Sequence, residues 1–250
     1  MSDLSGRTTI VVGASRGLGH GIATSLAEAG APVVAVSRTT AEFTAPTNGE
    51  GSIHVETADA ADASSAGRLL DLHEPDNVVL VAGANPHMRP LQHHTWESFS
   101  ATWETDVRIT FHWLREILLK PLRPGARVIV ISSGAALAGS PLSGGYAGAK
   151  ATQRFITGYA QDEARRAALD ITFTSVLPRM TPATELGRTA ARAYAVRDNQ
   201  TQEEYLRNMG PTLTPQITGD AIVNLIRTQS TDIAPAYLLT GGGLKPLNAG

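Results

Sequence analysis

The chain contains no cysteine. That excludes disulfides and thiolate metal centres, so packing and hydrogen bonds alone must hold its 250 residues. Charge of either sign is not in excess: 21 Lys and Arg against 23 Asp and Glu leave a formal net charge of −2. So balanced a surface offers no basic face, and nucleic acid is not an expected partner. Long apolar runs are missing too. None reaches the roughly 18 residues of a membrane span. The opening MSDLSGRTT lacks the apolar stretch of a secretory leader. Together these absences lead to the expectation of a soluble, cytoplasmic protein without membrane contact. The seven histidines form no ligand array. His93 and His94 are adjacent and point apart on any regular element, so no metal site is expected.

What is present is an alternation of strands and helices without an internal repeat. Thr8–Val12, Pro32–Val36, Ile53–Glu56, Val78–Val81, Arg127–Ile131, Ile171–Leu177 and Ala236–Leu239 read as strands. Runs such as VVAV, VVLV and VIVI suit strands covered on both faces, as in a parallel sheet. Helical patterns lie near 18–29, 63–73, 95–119, 146–168 and 216–228, and Pro121 to Gly125 stops the third of them. Strands separated by helices imply βαβ units: an α/β protein with a doubly wound parallel sheet flanked by helices. No linker divides the chain, so residues 1–250 are expected to form one domain.

Two motifs carry chemistry. Gly13-Ala14-Ser15-Arg16-Gly17-Leu18-Gly19 follows the first strand and opens the first helix. Glycines there allow a tight turn and close approach of the backbone to a pyrophosphate, which meets the free N–H groups of the helix start. Far downstream, Tyr146 and Lys150 stand four apart, one turn from each other on a helix, with Ser133 thirteen residues before the tyrosine. A phenol is a poor acid or base near neutrality, and a nearby ammonium favours its ionised form. With a serine hydroxyl to bond the same oxygen, the three groups suit proton transfer at an oxygen on carbon.

In these two motifs the chain resembles the short-chain dehydrogenase/reductase family, and the likeness runs from about residue 6 to about residue 243. The resemblance implies a Rossmann-type fold and an NAD(P)-dependent oxidoreductase, with Ser133, Tyr146 and Lys150 catalytic. It also implies cofactor contacts from Gly13, Ser15, Arg16, Gly17, Leu18 and Gly19, and from Asp59-Ala60, Ala82-Gly83-Ala84, Tyr146, Lys150, Pro178, Arg179 and Thr181. At the end of the second strand, Ser37 takes the place of an acid that would bond ribose hydroxyls, and Arg38 follows it. With Arg16 nearby, two guanidiniums suit a 2′-phosphate, so NADP(H) is expected over NAD(H).

Three positions depart from the family pattern. Asp106 stands where a catalytic Asn is usual; its backbone carbonyl is expected to hold a relay water, while its charge bears on the Tyr146–Lys150 pair. Arg179 replaces a Gly beside the nicotinamide, where it narrows the pocket, binds an anionic substrate group, extends the phosphate contacts or faces solvent. Val81 replaces an Asn. The segment 180–214 is expected to form a substrate lid with Met180, Leu186, Tyr194, Tyr205, Leu206 and Met209, unless these pack between helices. His87, Met88 and His94 are expected to reach the pocket from the other side or lie in solvent. The resemblance also implies a homo-tetramer or homo-dimer joined through helices 95–119 and 146–168, with Phe111, Trp113, Leu114, Phe155, Ile156 and Tyr159 as candidate contacts. The leading reading is reduction of a small-molecule ketone or aldehyde, or the reverse oxidation of an alcohol. A dehydratase, isomerase or cyclase on the same scaffold and a silent NADP-binding protein are the alternatives.

Overall fold

The computed structural model describes residues 4–47 and 51–247; the two extremes of the expected 1–250 domain lie outside the described residues. The strands are β1 (Thr9–Val12), β2 (Pro32–Ser37), β3 (Ser52–Thr57), β4 (Asn77–Leu80), β5 (Ala126–Ile131), β6 (Ile171–Pro178), β7 (Ala236–Thr240) and β8 (Gly243–Leu247). They form one sheet in the order β3-β2-β1-β4-β5-β6-β7-β8. Strands β1 to β7 pair in parallel, while β8 returns antiparallel to β7. The doubly wound parallel sheet thus carries one antiparallel edge strand. Thr240 to Gly243 is a tight reversal, with Gly242 N donating to Thr240 Oγ1 at 3.1 Å.

Alternation along the strands sends side chains to two separate cores. Ile10 and Val12 pack on one face with Leu69, Trp113, Ile117 and Phe173. Val11 goes to the other face with Ile22, Leu26, Ile222 and Ile226. Each such side chain, fully buried, contributes on the order of 1.5–3 kcal/mol from apolar transfer. The first face is covered by α2 (Ala63–His73), α4 (Arg108–Leu119) and α6 (Tyr146–Arg166), the second by α1 (Gly17–Glu28) and α9 (Pro215–Arg227).

Two readings change in the helices. The stretch expected as one helix over 95–119 is α3 (Trp96–Thr102), a π-helical turn (Trp103–Val107) and then α4. The segment 180–214 holds α7 (Glu185–Arg197) and α8 (Gln202–Asn208), each capped by a threonine side chain, Thr184 and Thr201. A short α5 (Ala135–Ala138) follows β5.

Candidate active site

Between β1 and β4 the strand order reverses, and at the C-terminal ends of the strands a cleft of about 1070 Å³ opens. That is where an open α/β sheet leaves room for a ligand, because the crossovers on either side diverge. The residues expected from the sequence to be catalytic or to contact the cofactor all line this one cleft.

The β1–α1 turn forms its floor. Gly13 has φ +92°, and a Cβ on it would lie 2.6 Å from the Ala82 backbone; a Cβ on Gly19 would lie 2.1 Å from Gly13 O. The turn is thus closed to any side chain at either place. No side chain caps the start of α1 and no acid stands in its first turn. Its N–H groups and positive dipole end are left for an anion. Ser37 Oγ is turned back onto Thr39 O at 2.6 Å, while Arg38 beside it is exposed and makes no hydrogen bond or ion pair among the described residues. Arg16 pairs with Glu185 of α7 at 2.5 Å. Asp59 caps the local turn, accepting from Ala61 N at 3.0 Å. These features fit an extended dinucleotide along the cleft.

At the other end stand Ser133, Tyr146, Lys150 and Asp106. Ser133 follows β5, and its Oγ accepts from Ala135 N at 3.2 Å, which leaves its own proton free to donate. Tyr146 opens α6, and Lys150, one turn on, places Nζ 5.6 Å from the Tyr146 ring centre. Asp106 is fully buried. Its Oδ1 accepts from Ala84 N at 2.7 Å, and its Oδ2 lies 3.0 Å from Lys150 Nζ, its sole partner. Burial pushes the Lys150 ammonium down, but the Asp106 carboxylate, Tyr146 and the Asp106 hydrogen bond outweigh it and hold the group above the usual lysine range.

The expected role for the Asp106 backbone carbonyl needs correction. That oxygen accepts from Thr110 Oγ1 at 2.9 Å and from Gln153 Nε2 at 3.1 Å. Both its lone pairs are engaged by protein, so the seat foreseen for a water is filled. Asp106 lies within the π-helical turn, Trp103–Val107, and is its buried residue. Gln153 and Thr110 were not singled out in the sequence. Their signal was a polar stripe at helical spacing, Lys150, Gln153 and Thr157, all buried on α6.

The 180–214 segment contributes Met180, Leu186, Tyr194, Tyr205 and Met209 to the cleft, but not Leu206. Tyr194 is fixed to the opposite wall by Ser140 Oγ at 2.7 Å, and its ring stacks on Tyr205 at 6.4 Å. Met88 lines the cleft, whereas His87 and His94 do not. His94 is instead a strut, bonding Ser98 Oγ and Arg89 O.

Comparison with known proteins agrees with this architecture. The family model described as short chain dehydrogenase matches residues 7–195. A short-chain type dehydrogenase/reductase of Picea abies is 32% identical over 193 residues, 70% of this chain and 70% of that protein. An L-xylulose reductase of Bos taurus is 26% identical over 193 residues, 77% of this chain and 71% of that protein. A solved short chain dehydrogenase from Burkholderia cenocepacia J2315, in complex with NADP, matches with a TM-score of 0.72 at 22% identity, over 95% of this chain and 89% of that one.

Proposed function

This chain belongs to the short-chain dehydrogenase/reductase family, whose reductase members place it among oxidoreductases of C=O and CH–OH groups, and on that footing we propose that it is an NADPH-dependent carbonyl reductase. The observation that carries the proposal is the convergence of Ser133, Tyr146 and Lys150 at one end of a cleft whose other end is built for a dinucleotide. NADPH, when bound, supplies the hydride. Ser133 donates a hydrogen bond to the substrate oxygen. Tyr146 gives that oxygen its proton as negative charge develops, and Lys150 presents a fixed cation to both. Asp106 keeps the ammonium charged and in place. In the oxidative direction the same groups run in reverse.

Preference for the phosphorylated cofactor rests on Arg38, exposed and uncommitted at the end of β2, and on the absence of an acid there. Arg16 joins it only by leaving Glu185. The pair is exposed on both sides, so release costs about 0–1 kcal/mol.

NADPH consumption with a panel of ketones and aldehydes tests the reading. Wild type is expected to turn over at least one carbonyl class, and Tyr146→Phe to lose about 100-fold or more in kcat while still binding NADPH. Tight NADPH binding with no turnover across the panel, or a Tyr146→Phe enzyme as active as wild type, overturns it. The first of these outcomes favours a non-redox use of Tyr146 or a silent binding protein.

A further inference from the structure

Charge along the cleft is almost wholly accounted for. Lys150 is paired with Asp106, and Arg16 with Glu185; Arg188 donates to Ala183 O at 3.2 Å. Two lining cations remain without a hydrogen bond or ion pair among the described residues, Arg38 and Arg179. They stand just past the ends of different strands, β2 and β6, four places apart in the sheet order β2-β1-β4-β5-β6. At about 4.8 Å per strand this separates their strand ends by roughly 19 Å. Arg38 is at the nucleotide end. Arg179 is at the reacting end, where its backbone abuts the Ser133 loop: Gly134 N donates to Pro178 O at 2.8 Å, and a Cβ on Gly134 would lie 3.8 Å from Arg179 Cα. From β1, whose turn suits the pyrophosphate, β6 is three strands or about 14 Å away. The Arg179 backbone therefore stands at the end of the cleft away from the glycine-rich turn.

Tyr205 of α8 lines the same cleft. The Arg179 charge acts on its hydroxyl. Burial pushes that hydroxyl up, Asp198 and Tyr194 add to the rise, and Arg179 offsets part of it. The phenol therefore stays protonated as a donor, and it has no hydrogen-bond partner among the described residues. Tyr194 stacked on Tyr205, with Met180 and Met209, forms an apolar wall beside these two donors.

We infer that the substrate of this reductase is a carbonyl compound bearing a carboxylate, which Arg179 and Tyr205 hold while the apolar wall takes its hydrocarbon or aromatic body. This rests on the reductase reading and narrows its substrate class. A guanidinium offers a carboxylate two parallel N–H donors, and the phenol adds a third. The nicotinamide end of a dinucleotide carries no anion that would need such a group.

The test compares acids with their methyl esters: 4-acetylbenzoate, 3-acetylbenzoate and levulinate, each against its ester, in wild type, Arg179→Met and Tyr205→Phe. Wild type is expected to favour at least one acid over its ester by about tenfold or more in kcat/KM. Arg179→Met is expected to lower that ratio about tenfold, and Tyr205→Phe about threefold. Ratios near one in wild type, or unchanged in Arg179→Met, overturn the inference. So does a loss of NADPH affinity in Arg179→Met as large as its loss of acid turnover, which would put the residue on the cofactor. If neither acids nor esters react, the wider carbonyl panel decides the reductase reading, and calorimetry with 4-acetylbenzoate on the NADPH-loaded protein decides the subsite separately. Arg179-dependent binding of the acid and not the ester supports it; no binding of the acid at millimolar concentration overturns it.

Discussion

At the scale of single residues, the buried Asp106–Lys150 pair controls the behaviour of the site. Both members are out of water, at 0% and 6% side-chain exposure, so neither can lose its partner cheaply. Asp106→Asn keeps the shape and the bond from Ala84 N but turns an amide donor towards the ammonium. Burial then works against the charged lysine with only Tyr146 left in opposition. The alkaline limb of kcat/KM is expected to move to lower pH by about one unit. Stability is expected to fall by about 3 kcal/mol, read from urea unfolding. Because the Lys150 value is raised in the folded protein, its contribution is complete below the unfolded lysine range near pH ~10.4. It is lost only as pH climbs through the still higher folded value. Between pH 6 and 9 the lysine therefore adds no slope to stability. An unmoved pH limb and unaltered stability in Asp106→Asn would show that the carboxylate does not hold the lysine.

Among the elements, the β1–α1 turn and the π-helical turn decide most. The first was legible because Gly13, Gly17 and Gly19 sit between an apolar strand and a helical pattern. Backbone atoms 2.1 Å from where a Gly19 Cβ would stand make that turn intolerant of even a methyl group. Gly19→Ala is expected to weaken NADPH binding about tenfold or more by calorimetry, with the far-ultraviolet spectrum retained. An unchanged affinity would mean that the turn does not seat the cofactor. The π-helical turn left no mark that periodicity can show. One extra residue within a helix looks like ordinary drift in a 3.6-residue pattern, and only its packing on α6 shows where the carbonyl and the carboxylate of Asp106 point. The helices of the 180–214 segment were hidden for another reason: their apolar residues serve the cleft as well as packing, which blurs any single stripe.

For the molecule as a whole, the exposed aromatic residues point outward to self-association. Of the residues expected at an interface, Trp113 and Leu114 are committed to the core, while Phe111, Phe155 and Tyr159 are 53%, 56% and 62% exposed on α4 and α6. We propose that these faces meet a second copy of the chain. Phe155→Glu is then expected to shift sedimentation from a dimer or tetramer towards monomer; a wild-type monomer at micromolar concentration would reject the interface. Among the described residues no helix is long and apolar enough to cross a membrane. By itself the sequence determined the α/β alternation, the seven parallel strands within a residue or so at their ends, the glycine-rich turn, and the catalytic and cofactor-contact candidates that line the cleft. These depend on local periodicity and on spacing along one or two elements, which a linear string preserves. Tertiary structure alone decided the antiparallel return of β8, the engagement of the Asp106 carbonyl by Thr110 and Gln153, that of Arg16 by Glu185 and the company Arg179 keeps. Each of these is a contact between groups distant in sequence, or an edge pairing set by the fold. The electrostatics of the site follow from such contacts, because the sign and size of every effect depend on distance and burial.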